Sequence, residues 1–286
     1  MSKFKIMQFT DLHLSPKNND KDQQTYQLLE QLITTYQPDL CMFTGDQIWS
    51  QGVMDSEKVY RNLIEFLNQF DTSIATTFGN HDTENHLSRS DLRQIEAELA
   101  NNYACKKHSK IVNDKEAYVL EVYDNDQLSH LLYVIDGGDY STTAIGQYAY
   151  IHPDHVAWIA EVERYYEQQD QIMPKHNLLF THIPIPEYQA ISQTKLYHGI
   201  FNEEIGCPTM NSGLFAQMLH SGNIEGMFCG HDHDNDFSFN HYGIHLNYGR
   251  ISGFHCYGDI TRGARLIELS PNKPYETKIV EYDQCF

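Results

Sequence analysis

The chain has 286 residues, a formal net charge of -19, 41% hydrophobic residues and a mean hydropathy of -0.53. That length supports one large domain with a substantial core, and no stretch approaches the run of about 20 apolar residues that a membrane helix needs. An acidic balance of this size argues against nucleic acid as a partner, because phosphate-backbone binders carry basic surface. In chain order, Phe4 to Thr10 alternates as a strand and stops at Asp11-Leu12-His13. Asp20 to Tyr36 has helical spacing, with Leu28, Leu29, Leu32 and Ile33 on one face and Pro38 beyond its end. Leu40 to Thr44 is an apolar strand that stops at Gly45-Asp46. Ser56 to Phe70 is again helical, and Ser73 to Phe78 is a strand that stops at Gly79-Asn80-His81-Asp82. A helix follows over about Ser90 to Asn101. Strand and helix units alternating at this size predict a largely parallel sheet covered by helices.

The second half is more mixed. Ala117 to Tyr123 and His130 to Ile135 read as neighbouring strands, and Asp154 to Gln169 as a helix. Asn177 to Thr181 is a strand ending at His182, and Gly226 to Cys229 another ending at Gly230-His231-Asp232-His233. From Asp236 onward, short strand-like runs between Gly turns look antiparallel. No repeat, low-complexity tract or linker interrupts the chain, so one domain over residues 1–286 is the simplest account. The six cysteines (Cys41, Cys105, Cys207, Cys229, Cys256 and Cys285) form no CxxC pair and read as reduced thiols. The first ten residues hold no apolar stretch of signal-peptide length, which predicts a cytoplasmic location.

Five predicted strands thus stop at clusters of Asp, Asn or His. Each cluster alone is common. Their joint occurrence at strand ends is not, since ligands in open α/β sheets sit outside the carboxyl ends of strands. Carboxylate, imidazole and amide oxygen together suit Mn, Fe, Zn, Ni or Co.

The ordered set Asp11-x-His13, Gly45-Asp46, Gly79-Asn80-His81-Asp82, His182 and Gly230-His231-x-His233 resembles the motif series of the calcineurin-like metallophosphoesterase superfamily. The stretches Gly45 to Trp49, His182 to Tyr188, Gly230 to Phe237 and Tyr248-Gly249-Arg250 are similar to its purple acid phosphatase-related branch. The resemblance implies a four-layer α/β/β/α sandwich of two mixed β-sheets flanked by helices. It implies two divalent metal ions (Mn, Fe or Zn), the first held by Asp11, His13, Asp46 and His233. Asp46 would bridge to the second, completed by Asn80, His182 and His231. It further implies hydrolysis of a phosphate monoester by a metal-bridging hydroxide, with His81 as the catalytic imidazole, Asp82 orienting it and Asn80 also touching substrate. A phosphodiesterase with the same centre is the alternative. Purple members carry a Tyr ligand three residues after the Gly-Asp aspartate; here that position is Trp49, which implies a colourless centre without obligatory ferric iron.

Around the motifs, Arg250 is read either as a phosphate clamp or as a surface charge near a turn. Tyr188 and Gln47 are pocket candidates, with packing as their other reading, and Trp49 is read as packing. Asp234 and Asp236 are expected to brace the His231 to His233 loop. His86, His198, His245 and His255 lie outside the motifs and are assigned structural or solvent-facing roles. The expected partner is a phosphorylated small molecule or phosphoprotein, with no nucleic acid and no membrane. A non-enzymatic scaffold is disfavoured, because every motif position holds a competent residue.

Overall fold

The computed structural model describes residues 3–17, 19–169 and 173–283. Cys285 therefore lies outside the described residues. The chain runs β1 (Phe4–Phe9), α1 (Asp20–Tyr36), β2 (Leu40–Thr44), α2 (Ser56–Leu67), β3 (Ser73–Thr77), α3 (Arg89–Leu99), β4 (Lys107–Val112), β5 (Lys115–Asp124) and β6 (Gln127–Ile135). It continues with α4 (Pro153–Gln168), β7 (Asn177–Phe180), a 3-10 helix (Pro186–Gln193), β8 (Tyr197–His198), α5 (Leu214–Ser221), β9 (Ile224–Cys229), β10 (Ser238–His241), β11 (Ile244–Tyr248), β12 (Gly263–Leu269) and β13 (Glu276–Glu281).

Alternating side chains decide how these elements stack. In β1, Met7 and Phe9 face one way and Ile6 the other. Met7 and Phe9 join Cys41, Phe43 and Ile74 beneath Leu28, Leu32, Leu63 and Leu92 of the first three helices. Ile6, Met42 and Ala75 instead meet Tyr118, Leu132, Phe180 and Phe228 of a second sheet. The far face of that sheet, through Val119, Tyr133 and Met227, packs on Trp158, Ile159 and Val162 of α4 and Phe215 of α5. The result is four layers, α/β/β/α. The first sheet has strand order β13-β12-β1-β2-β3 and the second β4-β5-β6-β7-β9-β11-β10-β8.

Both sheets are mixed, as the resemblance implies, and the alternating strand–helix pattern accounts for the parallel part of the first. Strands β1, β2 and β3 are parallel, as are β6, β7, β9 and β11. However, β12 runs antiparallel to β1, and β4 and β5 form an antiparallel edge. The tail is not uniformly antiparallel either, since β11 pairs parallel with β9. Among the described residues no helix is long and apolar enough to cross a membrane.

A buried cation, Arg89, ties the two sheets together beside the strand ends. The Arg89 guanidinium donates to Asp136 Oδ2 at 2.6 Å, to Thr83 Oγ1 at 2.6 Å and to the Gly79 carbonyl at 3.0 Å. Asp136 follows β6 of the second sheet, whereas Gly79 and Thr83 follow β3 of the first. Burial disfavours the charge on Arg89, but Asp136 and Asp139 more than offset this and hold its pKa above the usual value. Removing one partner of such a pair leaves an uncompensated buried charge. Arg89→Met is expected to lower unfolding stability by about 3–5 kcal/mol in urea titration; a loss below about 1 kcal/mol would show that this pair does not link the sheets.

Candidate metal centre

All five ligand-bearing turns leave the carboxyl ends of parallel strands on one rim: after β1, β2 and β3 of the first sheet, and after β7 and β9 of the second. The turns are hydrogen-bonded to one another. Asp11 N–H donates to the Gly45 carbonyl at 3.1 Å and His13 N–H to the Asp46 carbonyl at 2.9 Å. Gly230 N–H donates to the His182 carbonyl at 2.9 Å. Asp11, His13, Asp46 and His231 all sit in the left-handed region, at φ of 55°, 47°, 52° and 82°. Non-glycine residues seldom adopt that conformation, and each instance costs of order 1–3 kcal/mol that the surrounding structure must overcome. Four such residues in one cluster mark a place where backbone comfort has yielded to side-chain aim.

Those side chains meet. His182 Nε2 lies 3.2 Å from Asp46 Oδ2 and 3.2 Å from Asn80 Oδ1. His13 Nε2 lies 3.6 Å from Asp46 Oδ2 and 3.2 Å from His233 Nε2, and His233 Nε2 lies 3.4 Å from Asp11 Oδ1. His231 shares a cluster with Asp46 and His182 in which the ligand atoms are within 4.8 Å of one another. Ligand bonds of about 2.0–2.2 Å around one cation give ligand–ligand edges of roughly 2.8–3.6 Å, so these spacings fit side chains placed around cations. The Asp11, His13, Asp46, Asn80, His182, His231 and His233 side chains are all buried.

Close packing explains the glycines that precede the ligands. A Cβ at Gly79 would collide with Asp46 Oδ1 and with the His182 ring, and one at Gly45, whose φ is 95°, would collide with the His182 ring. His182 Nδ1 contacts the Thr44 carbonyl at 2.8 Å, which fixes the tautomer that leaves Nε2 free as a ligand. Burial disfavours the His182 imidazolium, but the Asp46 carboxylate pulls its pKa up to about 9. Burial, reinforced by His182, pushes His231 down to about 3. Burial works against ionised Asp11 too, yet His13 and His233 hold its carboxyl well below the usual range. Buried carboxylates and imidazoles thus compete for positive charge, and the ring Nδ1 atoms of His13 and His233 have no partner. The donor set fits divalent cations of the Mn, Fe or Zn type.

The centre forms the floor of a cleft of about 650 Å³, lined also by Trp49, His81, Tyr140, Tyr148, Glu203, Glu204, His255, Cys256 and Tyr257. A larger groove of about 690 Å³, lined by residues of α1, α2 and the loops before them, contains no comparable set of ligand side chains. A ring nitrogen of His81 shares a cluster with His13 and Asp46, again within 4.8 Å. Trp49 stacks on His81 at 4.3 Å between centroids.

Two expected roles are corrected. Asp82 does not orient His81. Its carboxylate is fully buried and accepts from the backbone N–H groups of Gly79 at 2.8 Å, Asp46 at 2.9 Å and Ile48 at 3.0 Å, so it clamps the two ligand turns together. The partner of the His81 ring is Glu84, whose Oε2 lies 2.6 Å from Nδ1. Arg250 is not a phosphate clamp. Its guanidinium points away from the cleft, bound to both the Asp236 carboxylate at 2.8 and 2.5 Å and the Thr261 carbonyl at 2.6 Å. Gln47 and Tyr188 are buried, donating to the Thr77 carbonyl and to the Met227 and Asn247 carbonyls respectively, so packing is their role. Asp234 and Asp236 bind backbone N–H groups of Asp259 and Ile200, bracing the loop as expected. His255 is half-buried, lines the cleft and places its Nδ1 3.3 Å from Asn19 Nδ2.

Sequence reasoning missed Glu84, Tyr140 and Tyr148. Tyr140 Oη donates to Glu84 Oε1 at 2.8 Å and lies 3.2 Å from Asn80 Nδ2, so one chain of contacts runs from Asn80 to His81. The available signal was a sixth polar strand end, Asp136-Gly137-Gly138 after β6, which launches the loop carrying both tyrosines.

The calcineurin-like phosphoesterase family model matches residues 4–235, so the chain belongs to that family. It is 26% identical to "Probable inactive purple acid phosphatase 14" of Arabidopsis thaliana, over 95% of this chain and 76% of that protein. It is 29% identical to "Phosphatase DCR2" of Saccharomyces cerevisiae, over 82% of this chain and 45% of that longer protein. A dimetal phosphatase from Danio rerio has the same fold, with a TM-score of 0.62 at 14% identity over 96% of this chain and 98% of that one.

Because Gly79 has no side chain, Asp46 and His182 can approach each other. Gly79→Ala is expected to fold, as judged by far-UV circular dichroism, yet to lose most bound manganese in elemental analysis. Manganese retained at the wild-type level would contradict that packing argument.

Proposed function

We propose that this member of the calcineurin-like phosphoesterase family is a phosphate monoesterase working with two divalent cations. Asp11, His13, Asp46 and His233 would hold one, and Asp46, Asn80, His182 and His231 the other. The observation that carries the reading is the convergence of two buried carboxylates and three buried imidazoles at 3.2–3.8 Å, with the buried His231 ring nitrogen within 4.8 Å of Asp46 and His182. When bound, such ions acidify water and neutralise phosphate oxygens. Trp49, at the position where purple members place a Tyr ligand, supports a colourless centre containing Mn, Fe(II) or Zn.

The chain's own groups supply the rest. Asn80 sits where its amide reaches both the centre and Tyr140, and so holds an ester oxygen in register. Glu84 fixes the His81 ring through Nδ1 and Trp49 covers one face of it, leaving Nε2 to carry a proton to the departing alkoxide. Glu84 acts through His81 and is a positioning residue. Tyr140, Tyr148 and Tyr257 line a cleft of about 650 Å³, a volume that suits a small monoester. Some relatives carry "inactive" in their names; here every motif position holds a competent donor, which supports activity. The scattered thiols are in keeping with a cytoplasmic setting.

Manganese-loaded protein is expected to turn over p-nitrophenyl phosphate well above bis-p-nitrophenyl phosphate; the reverse order would favour a diesterase, and inactivity on both would end the enzymatic reading. His81→Asn is expected to keep its metals and lose about 10²–10⁴-fold in kcat on alkyl phosphates. The loss should be much smaller on p-nitrophenyl phosphate, whose leaving group needs no proton. Glu84→Gln should show the same leaving-group dependence in milder form, with Glu84→Asp partly restored. Equal losses on both ester types would refute the proton-donor role.

A further inference from the structure

The lining of the cleft changes character away from the metal ligands. Among the described residues that line it there is no lysine and no arginine. Beyond the centre the walls are aromatic faces and carboxylates. Tyr257 is 55% exposed and stacks on His233 at 4.0 Å, and Tyr140 is 37% exposed and stacks with Tyr148 at 6.1 Å. Glu203 is held in place by the Tyr257 hydroxyl, and Glu204 is exposed at the rim.

Charge accounting gives this lining a meaning. Two divalent cations, offset by Asp11, Asp46 and a bound hydroxide, would leave one positive charge, which a phosphate dianion more than consumes. Nothing cationic then remains for a second anionic group, and Glu203 and Glu204 repel one. Aromatic faces with adjacent carboxylates are instead the surroundings that hold alkylammonium groups.

We propose that the alcohol half of the natural substrate is cationic: a small phosphate ester of an amino or quaternary-ammonium alcohol, read by Glu203, Glu204, Tyr148 and Tyr257. This rests on the phosphatase reading above and names its substrate class. A cleft of about 650 Å³ is the size of small-molecule sites and accommodates such an ester whole.

The test compares phosphocholine and phosphoethanolamine with 3,3-dimethylbutyl phosphate, a neutral isostere, and with 3-phosphoglycerate, using manganese-loaded full-length protein and p-nitrophenyl phosphate as reference. Phosphocholine is expected to exceed the neutral isostere about tenfold in kcat/KM, mainly through KM, and to exceed 3-phosphoglycerate by more. In Glu204→Gln the phosphocholine-to-isostere ratio should fall toward one. Calorimetric titration of metal-loaded His81→Asn protein should show the same order of affinities without turnover. If the isostere or the anionic ester is preferred while p-nitrophenyl phosphate is still hydrolysed, the charge assignment is wrong and the phosphatase reading stands. If p-nitrophenyl phosphate is inert, the phosphatase reading fails and this inference with it. Faster hydrolysis of an arginine-flanked phosphoserine peptide than of either amino-alcohol ester would overturn the small-molecule class.

Discussion

The structure depends on one electrostatic problem: Asp11 and Asp46 are buried with four imidazoles, and the ionised carboxylates need positive charge close by. Burial penalises each charge, and lone buried carboxylates would ordinarily neutralise by taking a proton. Here His13 and His233 hold the Asp11 carboxyl well below its usual range, and the Asp46 carboxylate draws the His182 pKa up. Divalent cations resolve the same conflict with more charge and with directional bonds. The arrangement suits divalent cations, and the fold brings its side chains together on one rim.

Three features serve it. Parallel strands of two sheets end on one rim, so five turns deliver ligands to one point. The turns take left-handed backbone at Asp11, His13, Asp46 and His231, a conformation retained because the neighbouring turns brace it through Asp82 and through backbone hydrogen bonds. Glycines stand where ligands crowd one another. Arg89 then ties the β3 turn to the end of β6.

Much of this was legible in the sequence, for a physical reason. Ligand residues at strand ends leave a double mark: an apolar run that stops, and a polar side chain that no core would choose. That is why the β1, β2, β3, β7 and β9 turns could be found, and why α1 and β2 begin and end where helical and apolar periodicity place them. Legibility failed where a role depends on which neighbour a side chain meets. Asp82 follows His81 directly, yet their side chains diverge, and the ring finds Glu84 at the three-residue spacing. Arg250 looked like an anion ligand because its partner, Asp236, is joined to it only through the β10–β11 hairpin. The mixed character of the sheets came from the motif resemblance and not from periodicity, because the antiparallel pairing of β12 with β1 joins segments distant in sequence. Tyr140 and Tyr148 lie on the loop between β6 and α4, and Tyr257 on the loop between β11 and β12, with no periodicity to mark either.

Electron paramagnetic resonance of the manganese-loaded protein tests the central claim most directly. Two Mn(II) ions sharing the Asp46 carboxylate would be exchange-coupled, so titration to full occupancy should yield a broadened, multiline coupled-pair spectrum. Asp46→Asn should weaken or abolish it. A spectrum at full occupancy that shows only isolated Mn(II), unchanged in Asp46→Asn, would contradict a dinuclear centre built on these side chains.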